Sequence, residues 1–208
     1  MSMWEAEGLY TKKGYFAICG VDEAGAGPLA GPVYAAAVIL PLGVDIPGLN
    51  DSKQLTEKKR EELFPVIQKT ALAWAVADVS AREIDETDIL SARMRAMELA
   101  IAKLSPPADF ALIDGNRDKG KSAAITLEHA CMVKGDSLSA SIAAASILAK
   151  VSRDRHMLEM DQLYPQYGFA QHKGYGTKAH YEAIAQFGPS PIHRLTFLKK
   201  FYAQEGRA

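Results

Sequence analysis

Four acidic residues in three separate parts of the chain follow predicted strands, and their types and spacing could do chemistry. Asp22 and Glu23 come directly after the apolar run at 15–21, Asp114 follows a second apolar run, and Asp136 lies just after a third. Carboxylates crowded at the end of a buried strand repel one another and are costly to desolvate. A cation held between them removes that cost. Oxygen ligands without a Cys or His cluster suit Mg²⁺ or Mn²⁺ rather than Zn²⁺.

Each of these acids also has an ordinary structural explanation. Asp22 and Glu23 could form a solvated strand end, and Asp136 stands where it could cap the long helix that follows. Ligands of α/β sheets collect outside the carboxyl ends of the strands. The metal hypothesis therefore requires the first and fourth strands to be neighbours in the sheet, so that Asp22, Glu23 and Asp114 converge and Asp136 completes the group.

A glycine-rich turn follows the first acidic pair directly. Its glycines at 25, 27 and 31 have the spacing G-x-G-x-x-x-G, which is not the dinucleotide fingerprint, and a strand rather than a helix follows. Gly25, Ala26 and Gly27 could instead bring backbone groups close to a substrate sugar or phosphate. The alternative is a tight turn that binds nothing.

Two further segments carry residue types found in nucleic-acid sites. In the segment 172–177 (HKGYGT), Tyr175 lies between two glycines and near a cation, which suits stacking on a sugar or base beside a phosphate. An exposed loop with an incidental tyrosine is the competing interpretation. Lys53 lies on another loop and by itself indicates nothing.

The bulk composition describes a chain large enough for a sizeable core. It has 208 residues, 48% of them hydrophobic, which favours one domain with at most a small appendage. The formal charge is −1, yet residues 150–208 hold nine Lys/Arg against five Asp/Glu and four of the five histidines. An acidic pocket beside a basic surface suits a metal-dependent enzyme acting on a polyanion, although ordinary surface variation explains the same counts.

The chain shows no sign of secretion or membrane insertion. Residues 1–13 are mixed and polar, and no apolar stretch approaches the length of a membrane span. Cys19 lies in an apolar strand, and two cysteines do not make a disulfide framework. We therefore expect a soluble, cytoplasmic, monomeric protein with a reduced, buried Cys19.

Hydrophobic periodicity and the glycines and prolines that interrupt it predict alternating strands and helices, which make a mixed α/β sheet. A helix over 57–69 is capped by Thr56 and interrupted by Pro65, and Ser80 and Glu83 have capping-box spacing. The predicted strands lie at 16–21, 33–40, 71–79, 109–113 and within 125–133. The other predicted helices lie at 89–104, 138–163 and near 178–187.

A series of motifs covers nearly the whole chain and resembles the ribonuclease HII family. In order they are 20–33 (GVDEAGAGPLAGPV), 51–55 (DSKQL), 114–116 (DGN), 134–136 (KGD), 142–154 (IAAASILAKVSRD), 172–177 (HKGYGT) and 192–194 (IHR). The resemblance implies a ribonuclease H-like fold: a mixed five-stranded sheet flanked by helices. It also implies that 1–208 form one catalytic domain whose C-terminal part, roughly 160–208, is a helical substrate-binding extension.

The resemblance further implies a function and a role for each candidate residue. Such an enzyme cuts RNA in RNA–DNA hybrids, and cuts 5′ of a single ribonucleotide in duplex DNA, in ribonucleotide repair and RNA primer removal during replication. Two Mg²⁺ or Mn²⁺ ions would serve an in-line displacement that leaves 5′-phosphate and 3′-hydroxyl ends. The family's metal-binding carboxylates fall on Asp22, Glu23, Asp114 and Asp136. Its substrate contacts fall on Gly25, Ala26, Gly27, Lys53 and Tyr175.

One position departs from the family pattern and leaves alternatives open. The usual turn is Gly-Arg-Gly, and Ala26 replaces the arginine, so we expect weaker recognition with the metal site intact. A related enzyme of the ribonuclease HIII type, which carries an additional N-terminal domain, and a hybrid-binding protein without turnover are the alternatives. The tail at 195–202 (LTFLKKFY) loosely resembles sliding-clamp motifs, but also suits an amphipathic helix packed on the body.

Overall fold

A mixed five-stranded sheet forms the centre of the protein. The structure is a computed structural model that describes residues 3–50, 52–115 and 120–204, so Asp51 and Asn116 of the sequence motifs lie outside the described residues. The strands are β1 (Ile18–Ala24), β2 (Val33–Ile39), β3 (Ala73–Val79), β4 (Phe110–Asp114) and β5 (His129–Met132).

The sheet order places the acidic strands side by side. It is β3-β2-β1-β4-β5, with β1 antiparallel to β2 and parallel to β4, and β4 parallel to β5. The first and fourth strands are therefore neighbours, as the metal hypothesis requires. Val21 pairs with Ile113, so Asp22 and Asp114 directly follow one matched pair of residues.

The first strand is longer than predicted at its acidic end. We expected it to stop at Val21, but Asp22 and Glu23 pair in register with Ala36 and Ala35 of β2. The prediction was wrong because it followed side-chain polarity, whereas a strand continues wherever its backbone groups find a partner. The acidic pair thus belongs to the strand itself rather than to the turn behind it.

The four helices predicted by range are present with shifts at their ends, whereas those at Glu5–Thr11 and Phe169–His172 were not predicted. The helix that contains Pro65 runs its full length to Thr70, and Thr56 caps it by accepting a hydrogen bond from Lys59 N at 3.2 Å. Ser80 and Glu83 form the predicted capping box. The helices are α1 (Glu5–Thr11), α2 (Glu57–Thr70), α3 (Ala81–Glu86), α4 (Ile89–Ala102), α5 (Ala140–Leu163), α6 (Phe169–His172), α7 (Lys178–Phe187) and α8 (Leu195–Gln204).

The two faces of the sheet are covered by different helices. Alternating strand residues such as Cys19 and Val21 pack with α4 on one face, whereas Ala36 and Val38 pack with α2 and α5 on the other. Helix α5 approaches β1 so closely that a Cβ at Gly20 would lie 2.1 Å from the backbone of α5. The alanine-rich first half of α5 permits this approach. Cys19 is buried, as predicted.

The long helix α5 is not capped by Asp136, so that interpretation was wrong. Its N-cap is Ser139, whose Oγ accepts a hydrogen bond from Ile142 N at 3.1 Å and donates to Glu7 Oε1 at 2.6 Å. Asp136 lies three residues earlier, in the short 3₁₀ turn Gly135–Ser137. Asp136 is therefore available for a role other than capping.

The chain after α5 forms a smaller cluster on the edge of the main body. Helices α6, α7 and α8 pack around a buried group that includes Leu29 from the glycine-rich turn and Met157 from α5. In α8, Leu198 is fully buried and Phe197 packs against the core, so the tail is an amphipathic helix packed on the body. In the described ranges, none of the helices is both long and apolar enough to cross a membrane.

Candidate active site and metal centre

The acids of β1 and β4 approach the same edge of the sheet from both faces. Asp22 and Asp114 fall on the face covered by α5, because they alternate with residues that pack on α4. Glu23, one residue later, turns toward α4. The carboxylates of Asp22 and Glu23 therefore start from opposite faces of the sheet, which the sequence interpretation does not anticipate.

The turn that carries Asp136 is tied directly to Asp114. Gly135 N donates to Asp114 Oδ1 at 2.7 Å, and Gly115 N donates to Met132 O at 2.6 Å. A Cβ at residue 135 would lie 2.6 Å from the Ile142 side chain, so glycine allows the turn to sit this close. We call Asp22, Glu23, Asp114 and Asp136 the acidic rim.

The rim is electrostatically unfavourable in the absence of added cations. Burial raises the pKa of Asp22 well above its ordinary value, and the charges of Glu23 and Asp114 raise it further. Burial also raises the pKa of Glu23, although the Arg93 guanidinium opposes that shift. Asp22 is 4% exposed, so water does little to relieve the repulsion.

Two protein cations face two of the rim acids. Arg93 Nη2 lies 2.6 Å from Glu23 Oε1, and Lys53 Nζ lies 3.5 Å from Asp136 Oδ2. The second oxygen of Glu23, Oε2, is buried without a hydrogen-bond partner. An unpartnered carboxylate oxygen in an acidic, buried site is a group that a divalent cation would satisfy.

The rim is not a preformed metal cage. Among the described residues, no three His, Cys, Asp or Glu side chains are grouped so that they could hold a metal ion. Glu23 is turned to Arg93, and Asp136 faces Lys53. The donor set nevertheless fits a hard cation, because it consists of carboxylate oxygens beside one orphaned oxygen.

Nearly all the site residues predicted from sequence line one cavity of about 240 Å³. Asp136 instead lines an adjoining cavity that shares Lys53 and Asp114 with the first. The first cavity is lined by Asp22, Glu23, Ala24, Gly25, Ala26, Gly27, Ser52, Lys53, Arg60, Asp114, Ser146, Lys150 and Tyr175.

Two fully buried arginines hold the glycine-rich turn from behind. Arg194 donates to the carbonyls of Gly25, Ala26 and Gly31 at 2.6, 3.0 and 2.9 Å. Arg153 donates to three more carbonyls, those of Ala30, Pro32 and Lys173, at 3.0–3.1 Å. We call this pair the arginine clamp.

The clamp leaves no space for a side chain at Gly25, and burial changes the pKa of its two guanidinium groups. A Cβ at Gly25 would lie 2.0 Å from Arg153 Nε, and φ is +93°, so only glycine suits the position. Burial lowers the pKa of both guanidinium groups, that of Arg194 to about 9, which leaves them charged at neutral pH.

Tyr175 is held through its backbone by neutral histidines. Ser190 N donates to His193 Nδ1 at 2.9 Å, so His193 carries its proton on Nε2 and donates to His180 Nε2 at 3.0 Å. His180 Nδ1 then donates to the Tyr175 carbonyl at 2.9 Å. Burial lowers the pKa of both histidines to about 4, which keeps them neutral. Tyr175 itself remains 44% exposed and lines the cavity.

Several functional side chains had no assigned role in the sequence interpretation. Arg93 interrupts a helix face that is otherwise apolar, and that interruption could have drawn attention to it. Arg153 and Arg194 stand inside the matched motifs, but no local pattern reveals that they contact carbonyls more than a hundred residues away. Arg60 and Lys150 add positive charge to the cavity wall.

Comparison with known proteins decides the family. The ribonuclease HII family model matches residues 19–200. This chain belongs to the ribonuclease HII family. It is 53% identical over 196 residues to ribonuclease HII of Geobacter sulfurreducens, which covers 94% of this chain and 88% of that protein. As a family member it is a metal-dependent endoribonuclease of RNA–DNA hybrids.

Solved structures agree with the fold of a ribonuclease HII. Ribonuclease H2 from Pyrococcus horikoshii matches with a TM-score of 0.76 at 27% identity, over 92% of this chain and 99% of that one. The structure described as the PCNA:RNase HII complex from Archaeoglobus fulgidus matches with a TM-score of 0.70 at 26% identity, over 86% and 93%. The predicted ribonuclease H-like sheet flanked by helices is therefore confirmed.

Proposed function

We propose that this ribonuclease HII cuts duplex DNA on the 5′ side of a single embedded ribonucleotide, leaving a 5′-phosphate and a 3′-hydroxyl. The observation that carries the proposal is the shared cavity. Acids of the rim form one wall, and the glycine-rich turn and Tyr175 form another. A reacting phosphate and the ribose that identifies it would then be bound in the same space.

The acidic rim is the proposed binding site for two Mg²⁺ or Mn²⁺ ions. Asp22, Glu23, Asp114 and Asp136 would hold them. Ions bound there would stabilise the attacking and leaving oxygens of an in-line displacement. Lys53, whose side chain is 75% exposed, would move from Asp136 to the phosphate backbone near the cut.

The glycine-rich turn is the proposed reader of the ribose 2′-hydroxyl. Arg194 engages the carbonyl oxygens of Gly25 and Ala26 on the buried side. We therefore assign recognition to the peptide N–H groups of the turn at Gly25, Ala26 and Gly27, since an N–H can donate to a 2′-hydroxyl oxygen. Tyr175 would stack on the neighbouring sugar with its exposed ring.

Ala26 is the residue at which we propose that recognition of the substrate is weakened. An arginine at this position could contact a phosphate or ribose, and a hydrogen bond to a charged group contributes about 1.5–3 kcal/mol. Its absence predicts transition-state binding on a junction substrate that is about ten- to a hundredfold weaker, while the acidic rim is unaffected.

The C-terminal part, roughly 160–208, is the proposed substrate-binding extension of a single, monomeric catalytic unit that acts in ribonucleotide repair and primer removal in the cytoplasm. It contributes Tyr175 and the arginine at 194 that holds the turn. Sliding-clamp contact would be weak, because the apolar side of α8 at Leu198 is already buried against the body. Leu195, which is exposed, is the tail residue we would assign to such a contact.

The deciding experiment is cleavage of duplex DNA that carries one ribonucleotide, with the cut mapped at single-nucleotide resolution. An RNA–DNA hybrid and an all-DNA duplex serve as matched substrates. We expect a cut 5′ of the single ribonucleotide in Mg²⁺ or Mn²⁺. Cleavage confined to long RNA tracts would instead favour the ribonuclease HIII type of activity. Binding without turnover in saturating metal would favour a hybrid-binding protein.

A further inference from the structure

Arg93 is the cation most deeply placed against the acidic rim. It reaches Glu23 from α4, with Nη2 at 2.6 Å from Oε1, and the two side chains are only 18% and 14% exposed. By contrast, Lys53 faces Asp136 at 3.5 Å with a side chain that is 75% exposed. Arg93 is therefore held in the wall of the site, whereas Lys53 extends from it.

The neighbours of Arg93 in α4 show that a charged side chain is unusual at this position of the helix. Its neighbours Ala92 and Met94 are buried in the core, and Arg95, two residues later, is exposed on the surface. A buried guanidinium in such a segment is costly unless a counter-charge compensates it. Glu23 supplies that charge.

The ion pair is incomplete on both sides. Glu23 Oε2 and Arg93 Nε are each buried without a hydrogen-bond partner in the described part of the chain. A pair selected for stability alone would satisfy these atoms, for instance by bidentate contact. One engaged and one open oxygen instead leave Glu23 ready to accept a second cationic partner.

We infer that Arg93 is a positioning residue that serves as the resident counter-ion of Glu23 and competes with a divalent cation for the charge of this carboxylate. Arg93 thereby sets the metal affinity of the site. The inference rests on the proposed function, in which the acidic rim binds divalent ions. It adds that a cation entering the rim competes with a charge that the protein itself supplies.

Removal of the guanidinium has two separable consequences. Without metal, Glu23 loses its neutralising partner, so the protein becomes less stable. With metal, the competing charge and its repulsion are gone, so the ion binds more tightly. A merely structural arginine would produce the first effect without the second.

The test is Mn²⁺ binding without substrate, followed by the electron paramagnetic resonance signal of free Mn²⁺. For Arg93→Met we expect a Kd about tenfold lower than that of the wild type, and for Arg93→Lys a Kd close to the wild-type value, since lysine keeps the charge. Arg95→Met is the matched control on the same helix and should leave the Kd unchanged. Melting temperatures in EDTA and in Mn²⁺ should show that Mn²⁺ stabilises Arg93→Met more than the wild type.

The outcomes separate this inference from the function on which it rests. If the wild type binds Mn²⁺ and Arg93→Met binds it equally or more weakly, the inference is wrong and the metal site stands. If neither protein binds Mn²⁺, both fail. If only Arg93→Met binds, the competing role is supported in its strongest form. Arg93→Gln, which is also neutral but polar, carries the same test if the methionine variant does not fold.

Discussion

The acidic rim and the arginine clamp flank the same cavity but solve opposite electrostatic problems. The rim gathers like charges, and one of its oxygens, Glu23 Oε2, is buried without a hydrogen-bond partner. The clamp buries two like-charged arginines, 0% exposed, and surrounds them with six backbone carbonyls. One region is left electrostatically incomplete, and the other is satisfied internally.

This difference separates chemistry from positioning. Polar atoms that the protein leaves unsatisfied are costly, and they persist where a ligand completes them. Arg60 Nε and Arg93 Nε are further unpartnered atoms near the cavity, whereas no unpartnered side-chain atom of the clamp arginines is found in the described structure. The rim therefore keeps polar atoms that a ligand could complete, while the clamp arginines have their hydrogen bonds satisfied within the protein.

Asp22→Asn should produce the largest effect and should separate activity from stability. The amide keeps the oxygen that accepts from Glu23 N at 2.7 Å but loses the charge. We expect kcat/KM to fall about a thousandfold or more, because metal-assisted stabilisation is worth several kcal/mol and each ~1.4 kcal/mol is tenfold. In EDTA the variant should gain about 1 kcal/mol of unfolding free energy, since a buried repulsion is removed.

Cleavage assays and urea unfolding measure these two effects. Asp78→Asn, an exposed acid on β3, is the matched control and should change neither. Full activity in Asp22→Asn would remove Asp22 from the metal site. A loss of stability in EDTA would show that the acidic rim is not under the repulsion described above.

Arg194→Met should show the opposite pattern. It leaves the carbonyls of Gly25, Ala26 and Gly31 without their donor, and buried unsatisfied groups cost about 1–3 kcal/mol each before relaxation. We expect a loss of about 3 kcal/mol in urea unfolding and weaker cleavage at a single ribonucleotide, with Mn²⁺ affinity unchanged.

Arg82→Met is the matched control for the loss of unfolding free energy in Arg194→Met. Arg82 is 85% exposed and pairs with Glu86 within one helix, so its replacement should leave the unfolding free energy nearly unchanged. Equal losses in the two variants would mean that the clamp does not hold the turn. A parallel loss of Mn²⁺ affinity in Arg194→Met would mean that the two regions are not independent.

The comparison also explains which parts of the molecule could be predicted from sequence. The approximate positions of the strands and of the acids near their ends follow from local periodicity, whereas the sequence left open whether β1 and β4 are neighbours. The clamp does not, because an arginine such as Arg194 meets carbonyls 163–169 residues away and backbone acceptors carry no sequence signature. Likewise, Ser139 rather than Asp136 caps α5 because Glu7, from a distant helix, fixes the serine there.

Ala26→Arg tests whether the missing positive charge alone weakens substrate recognition by the glycine-rich turn. The clamp holds the Ala26 carbonyl and is not altered by a side chain that enters the cavity, so we expect stability within about 0.5 kcal/mol of the wild type. On duplex DNA with one ribonucleotide, kcat/KM should rise about ten- to a hundredfold. Ala26→Gln has a comparable reach without charge and should give little gain. No gain from arginine would contradict the role assigned to this position.

The histidines behind Tyr175 predict that the stability of the protein depends on pH. His180 and His193 have a pKa of about 4 in the folded protein, because burial disfavours their charged form, against about 6.5 in an unfolded chain. The unfolded state therefore binds more protons between these values. The stabilisation is complete above pH 6.5, declines as the pH falls toward 4, and does not decline further below that. We expect the two groups together to contribute about 2 kcal/mol to this decline.

Urea unfolding at several pH values between 7.5 and 4 measures the decline. In His180→Asn, the amide can still donate to the Tyr175 carbonyl but does not titrate. The protein should lose stability at pH 7.5, and its unfolding free energy should depend less steeply on pH. His129→Gln, which replaces a histidine of β5 outside the cluster, is the matched control. An unaltered slope in His180→Asn would show that these histidines are not held neutral. The positioning region would then lack the internal satisfaction that distinguishes it from the acidic rim.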